Sequence, residues 1–151
     1  SVWDYPRPPR VEPTGKLVRI EFNGITLAET RHALRVLEKS HPPVYYIPPE
    51  DVLMKHLART PHRSFCEFKG AANYWAVQVG DRLVENAAWG YLDPTPGFEA
   101  IKGHLAFYPS KMDACFVDGE RVRAQAGDFY GGWITDEIVG PFKGERGTGH
   151  W

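Results

Sequence analysis

The segment KLVRIEFNGITLAET, residues 16–30, decides the fold class. Apolar and polar side chains alternate on both sides of the dipeptide Asn23-Gly24. Asn-Gly between two alternating runs is the strongest short-range signal of a β-hairpin, because both residues accept a positive φ. The segment therefore predicts two antiparallel strands joined by a two-residue turn.

Two more dipeptides of this kind follow, Gly80-Asp81 between residues 71–79 and 82–91, and Asp118-Gly119 after a short apolar run. The ambiguous segment 31–38 is interpreted as a strand. One short helix is predicted at residues 49–57, where proline and acidic residues precede an apolar stripe. The sequence thus predicts a mainly β fold, α+β at most: a small antiparallel barrel or sandwich of about seven or eight short strands with one short helix.

The length of 151 residues suits one domain. We assign residues 1–15 to a proline-rich N-terminal arm, 16–130 to a single β-rich domain and 131–151 to a glycine-rich C-terminal tail. Eighteen basic and nineteen acidic residues give a net charge of −1, which predicts neither a nucleic-acid nor a membrane partner. The oligomeric state stays open.

A cytoplasmic location is expected, because no apolar run approaches a membrane span and the first residues lack a secretory signal. Two cysteines, Cys66 and Cys115, are then expected to be thiols without a disulfide. Phosphate-binding glycine loops and a nucleophile elbow are absent from the sequence. His56, His62 and Cys66 are too loosely spaced for a zinc motif, so no metal site and no cofactor are predicted.

The register of the second hairpin predicts an aromatic face. A turn at Gly80-Asp81 places Tyr74 opposite Ala87 and Ala72 opposite Trp89. Large rings then lie beside small residues on one side of the sheet. Such a face is either ordinary core or the floor of a ligand pocket, and core packing is the commoner use of aromatic residues.

Directly upstream lies the sequence Cys66-Glu67-Phe68-Lys69-Gly70. A thiol beside an ammonium favours the thiolate that nucleophilic or redox chemistry needs. Cys66 and Lys69 point to opposite faces of a regular strand, so they converge only where the backbone turns near Gly70. The plainer interpretation of Cys66 is a small buried hydrophobic residue.

Several phrases in this order resemble one family: LE at 37–38, PVYYIPPEDV at 43–52, CEFKGAANYW at 66–75, AWGY at 88–91 and GHLAFY at 103–108. The sequence resembles the family known as domain of unknown function 427, sometimes labelled nucleotidyltransferase-like. The paired carboxylates that two-metal chemistry would need are not apparent here. The resemblance implies a compact β-rich domain, and its motif positions fall on Glu38, Tyr46, Pro48, Asp51, Cys66, Lys69, Gly70, Tyr74 and Trp89.

The leading hypothesis is a small-molecule binding module with a pocket floored by Tyr74 and Trp89, in which Lys69 favours an anionic ligand. The candidate ligand-binding residues are Arg31, Glu38, Tyr46, Asp51, Gly70, Tyr74 and Trp89. The alternatives are an enzyme with Cys66 and Lys69 as catalytic residues, and a structural or protein-interaction module that uses the arm and the tail. Whether the protein is an enzyme stays open at this point.

Overall fold

The protein is mainly β in a computed structural model, which describes residues 1–126, 131–138 and 140. Strand accounts for 49% of the described residues and helix for 11%, so the predicted excess of strand is confirmed. The strands are β1 (Arg10–Pro13), β2 (Val18–Phe22), β3 (Ile25–Thr30), β4 (Leu34–Leu37), β5 (Val44–Tyr46), β6 (Leu57–Cys66), β7 (Gly70–Val79), β8 (Arg82–Gly90), β9 (Ala106–Phe107), β10 (Ala114–Val117), β11 (Glu120–Arg121), β12 (Arg123–Ala124) and β13 (Trp133–Ile134).

These strands form antiparallel sheets in the orders β11-β10-β2-β3, β6-β7-β8-β9, β1-β4-β5 and β12-β13. Within the described residues the sheets do not close into a barrel, and the arrangement is sandwich-like, which decides between the two predicted architectures. Single bridges join neighbouring sheets, one of them between Ile47 and Leu105.

All three predicted hairpins are present. The turns pair Phe22 with Ile25, Val79 with Arg82 and Val117 with Glu120. The Asn23 side chain also donates a 2.8 Å hydrogen bond to the carbonyl of Val79, which joins the tips of two hairpins. The residues that specify the turns therefore also fix how two sheets meet.

The predicted α-helix at residues 49–57 is wrong. Two single turns of 3-10 helix, Pro49–Asp51 and Met54–His56, take its place. Between them, Val52 forms a β-bridge with Ala28, and the Leu53 N–H donates to the carbonyl of Leu27 at 2.9 Å. Pairing with β3 thus uses the backbone groups that a continuous helix would need.

The register of the β7–β8 hairpin departs from the simple prediction beyond Val77. A bulge containing Asn86, with φ of 50°, shifts the pairing so that Tyr74 lies opposite Trp89 rather than Ala87. Because the shift is two residues, each side chain keeps its predicted face. The pairing of Val79 with Arg82 is confirmed, the partners predicted for Tyr74 and Trp89 were wrong, and the aromatic face is present.

The sheets enclose two hydrophobic cores. The first core contains mostly aliphatic residues from β2, β3, β7 and β10 together with Trp133. The second core contains the aromatic face of the long hairpin and residues that pack on it: Val36, Tyr46, Ala72, Tyr74, Trp89, Tyr91, Phe98, Ile101, Ala106 and Tyr108.

Both terminal segments contact the domain. The N-terminal arm contributes the fully buried Val2 and strand β1, which pairs with β4. At the other end, Trp133 is fully buried in the first core, while residues 139 and 141–151 of the assigned tail lie outside the described residues. No helix in the described part of the chain has the length and apolar character needed to cross a membrane.

Candidate functional site

A cavity of about 290 Å³ opens beside the second core. Strands β7 and β8 form its floor, strand β5 and the segment after β4 form one wall, and the β6–β7 turn forms another. Six of the sequence-predicted site residues line it: Glu38, Tyr46, Cys66, Lys69, Tyr74 and Trp89.

The floor of the cavity is aromatic. The ring centroids of Trp89 and Tyr108 are 4.5 Å apart, and Tyr46 meets Trp89 edge-on at 6.4 Å. These separations fall within the range of favourable aromatic pairs. The rings therefore hold one another in place and present a fixed surface to whatever enters the cavity.

Tyrosine hydroxyls supply polar atoms to this surface. The Tyr74 hydroxyl and the Ser64 hydroxyl lie 2.8 Å apart in a hydrogen bond. Burial raises the pKa of Tyr46, Tyr91 and Tyr108 well above the ordinary value. These phenols are therefore neutral at physiological pH and act as hydrogen-bond donors and acceptors.

Lys69 is the buried charge of the site, with only 7% of its surface exposed. Its Nζ lies 4.0 Å from Oε1 of Glu38 and 5.9 Å from the centroid of the Tyr91 ring. Burial acts to lower the pKa of Lys69, but the surrounding Tyr91, Glu38 and Cys66 outweigh burial, and the net shift is upward. The ammonium therefore remains charged at neutral pH.

The turn between β6 and β7 brings Cys66 and Lys69 to the same cavity. Cys66 pairs with Gly70 across the hairpin, and Gly70 has a φ of 101°, which favours glycine. Thr95 fixes the turn from outside: its N–H donates to the Lys69 carbonyl at 3.0 Å, and its hydroxyl donates to the Phe68 carbonyl. The chain thus leaves regular strand geometry between Cys66 and Lys69.

Gly131 and Gly132 close one side of the cavity. A Cβ at Gly131 would lie 2.1 Å from Cη2 of Trp89, and a Cβ at Gly132 would lie 2.3 Å from Cγ of Pro42. Only glycine allows the backbone to approach the indole this closely. Gly131 therefore covers the edge of Trp89, and Gly132 lies against Pro42.

Three sequence-predicted residues do not line the cavity. Arg31 is exposed, and its guanidinium lies 3.4 Å from the carbonyl of Gly15. Asp51 accepts a 2.7 Å hydrogen bond from the Thr30 hydroxyl. Gly70 shapes the turn and is not among the residues that line the cavity.

Sequence reasoning missed several lining residues, among them His41, Tyr91, Tyr108 and Gln125. A signal existed for Tyr91, which is two positions beyond Trp89 and therefore on the same face of the strand. For His41 and Gln125 there was none, because they come from segments far from the long hairpin in sequence. Among the described residues, no group of three or more His, Cys, Asp or Glu side chains could hold a metal ion.

The fold and the cavity define a small β-sandwich-like domain with a ring-lined, partly charged pocket. The sequence profile of a family described as a domain of unknown function (DUF427) matches residues 10–118. The chain belongs to this family. No curated protein shows significant sequence similarity to it.

Proposed function

We propose that the protein binds a small organic molecule that carries a planar ring and an anionic group. The observation that supports this proposal is the Lys69 ammonium, which is 7% exposed yet forms part of the wall of a ring-lined cavity. Burying a charge is costly unless close partners compensate for it. Glu38 is one such partner at 4.0 Å, and a ligand anion would be a closer one.

The side chains around Lys69 offer few strong hydrogen-bond acceptors to its ammonium group. Within the described residues, the carboxylate nearest to Nζ is that of Glu38, whose 4.0 Å separation exceeds the length of a hydrogen bond. The ammonium has three N–H donors, and the neighbouring Cys66 thiol is only a weak acceptor. A ligand carboxylate would supply stronger acceptors.

The remaining walls favour a ring. Trp89 and the tyrosines offer flat apolar faces with hydroxyls at their edges, an arrangement that suits an aromatic group with a polar substituent. The cavity volume of about 290 Å³ lies just below the usual range of ligand pockets, which is roughly 300–1,000 Å³. The bound part of the ligand is therefore small, such as one substituted ring.

Calorimetric titration with 2-methoxybenzoate and its neutral partner 2-methoxybenzamide tests this proposal. A hydrogen bond to a charged group contributes about 1.5–3 kcal/mol, so the acid should bind roughly tenfold or more tightly than the amide. Lys69→Met should abolish the difference. Lys102→Met, which removes an exposed lysine outside the cavity, should preserve it. Equal affinities of acid and amide for the wild-type protein, or no binding of either, would contradict the proposal.

A second candidate function is an enzyme in which Cys66 acts as a nucleophile or redox thiol and Lys69 assists it. The observation in its favour is that both residues line the same cavity, where Cys66 is among the groups that raise the pKa of Lys69. This function requires Cys66 to react with iodoacetamide faster than free cysteine, and Lys69→Met to slow the reaction. A rate no faster than that of free cysteine would exclude this enzymatic function.

A further inference from the structure

A second cavity, of about 360 Å³, adjoins the ring-lined cavity. Its walls come from the N-terminal arm, through Trp3 and Arg7, and from two segments that also line the first cavity. One of these is the segment after β4. The other is the β6–β7 turn, which places Lys69 in the first cavity and Glu67 and Phe68 in the second.

Glu38 and His41 line both cavities, so they form the boundary between them. His41 Nε2 lies 3.5 Å from Oε2 of Glu38, and the other carboxylate oxygen, Oε1, faces Lys69 at 4.0 Å. The boundary is therefore made of polar side chains directly beside the buried ammonium. A ligand whose anion contacts Lys69 would lie next to the second cavity.

The second cavity has a different chemistry from the first. Arg7 and Lys39 supply positive charge, and Glu38 and Glu67 supply an equal number of acidic groups. An anion would be attracted by one pair and repelled by the other. A neutral group rich in hydroxyls suits this lining better, because each hydroxyl both donates and accepts hydrogen bonds.

Two rings complete this lining. Trp3 and Phe68 are both half-buried and offer apolar surface among the charged side chains. A sugar-like ring has a matching character, with C–H groups on its faces and hydroxyls around its edge. The mixture of rings with balanced donors and acceptors therefore points to a hydroxyl-rich ring.

We propose that the ligand is bipartite: a ring-bearing anion occupies the first cavity and carries a sugar-like, hydroxyl-rich group that occupies the second. This inference rests on the proposed function. The ligand carboxylate contacts Lys69, and the boundary between the two cavities lies beside Lys69. The sugar-like group is therefore attached to the ring carbon adjacent to the one that carries the carboxylate. The two cavities together then hold a ligand of ordinary size.

Titration with three benzoates tests this geometry: 2-methoxybenzoate, 2-(β-D-glucopyranosyloxy)benzoate and its 4-isomer. The 2-glucoside should bind about tenfold more tightly than 2-methoxybenzoate, and the 4-isomer should show no such gain. Lys39→Met and Glu67→Gln should each reduce the gain of the 2-glucoside and leave the affinity for 2-methoxybenzoate unchanged. Both side chains are at least partly exposed, so these variants should fold.

The inference is overturned if the 2-glucoside binds no more tightly than 2-methoxybenzoate, or if both isomers gain equally. It is also overturned if 2-(phosphonooxy)benzoate gains more than the 2-glucoside, since the second cavity would then select an anion. Failure of the proposed function gives a different result, in which 2-methoxybenzoate itself does not bind or binds independently of Lys69.

Discussion

The two hydrophobic cores contain aromatic rings, but they differ in what the polar atoms of those rings face. In the first core, Nε1 of the fully buried Trp133 donates a 3.1 Å hydrogen bond to the carbonyl of Phe107. In the second core, Tyr74, Trp89 and their neighbours border a cavity that also contains a charged lysine.

This difference separates two roles that aromatic residues perform in a small β domain. A core whose polar groups are satisfied internally contributes mainly to stability. A core that directs hydroxyls and an ammonium towards an open cavity gives up some stability and gains a surface on which a ligand can bind. Substitutions in the two cores should therefore change different measured quantities.

The largest change in the free energy of unfolding is expected for a substitution in the first core. Trp133→Ala removes a fully buried indole and should lower the free energy of unfolding by about 3–5 kcal/mol, as measured by urea denaturation. Phe65→Ala is the control, since Phe65 is 77% exposed and its loss should change stability little. A cost below about 1 kcal/mol for Trp133→Ala would contradict the assignment of this residue to a closed core.

A smaller effect is expected where the backbone covers the second core. Gly131→Ala places a methyl group against the Trp89 indole and should destabilise the protein by about 1–3 kcal/mol. The variant should also weaken the binding of 2-methoxybenzoate, because Trp89 must move. Gly15→Ala is the matched control: no atom lies within 4 Å of its added methyl group. Equal stability and equal binding of the two variants would show that Gly131 does not shape the cavity.

The buried tyrosines of the second core predict an alkaline loss of stability. Because burial raises the pKa of Tyr46, the folded protein retains a proton that the unfolded chain loses above about pH 10. The free energy of unfolding should therefore fall as the pH rises through that value. Each such tyrosine contributes a slope of up to about 1.4 kcal/mol per pH unit.

Tyr46→Phe should reduce this slope by about that amount, as measured by urea denaturation between pH 8 and pH 11. Slopes rather than absolute stabilities are compared, because the substitution also removes hydrogen bonds. The same slope for the variant and the wild type would show that the Tyr46 hydroxyl is not buried in the folded protein.

The two cysteines distinguish the two cores by their accessibility to a thiol reagent, and the effect on stability expected here is the smallest. Cys115 is buried in the first core, and burial raises the pKa of its thiol, whereas Cys66 lines the cavity. Iodoacetamide at neutral pH should modify Cys66 in the folded protein and Cys115 only in urea, as located by peptide mass spectrometry. Comparable alkylation rates of Cys66 and Cys115 in the folded protein would contradict the distinction between an open and a closed core.

Both thiols are free, so a reductant should leave the thermal midpoint of unfolding unchanged.

Much of the fold could be predicted from local sequence. Dipeptides such as Asn23-Gly24 specify their turns whatever surrounds them, and alternation assigns each side chain to a face. One error arose where a distant strand intervened, because Val52 pairs with Ala28 in place of extending a helix. The other arose within the β7–β8 hairpin, where the bulge at Asn86 shifts a register that the turn alone would have set.

Local sequence likewise predicted one part of the candidate site and not the other. The three consecutive strands β6, β7 and β8 contain the Cys66–Lys69 turn, Tyr74 and Trp89, so local reasoning could bring them together. His41, Gln125 and Gly131 reach the cavity from separate segments, and a single sequence contains no signal for such contacts. The charge of Lys69 was visible in the sequence, but its burial was not.

The central claim is that the cavity beside the second core binds a ring-bearing anion. The most direct test is the set of tryptophan indole N–H resonances of the protein, recorded by two-dimensional NMR while 2-methoxybenzoate is added. The Trp89 resonance, assigned with Trp89→Phe, should shift saturably, and that of Trp133 in the first core should stay in place. An unchanged Trp89 resonance at saturating ligand concentrations would contradict the claim.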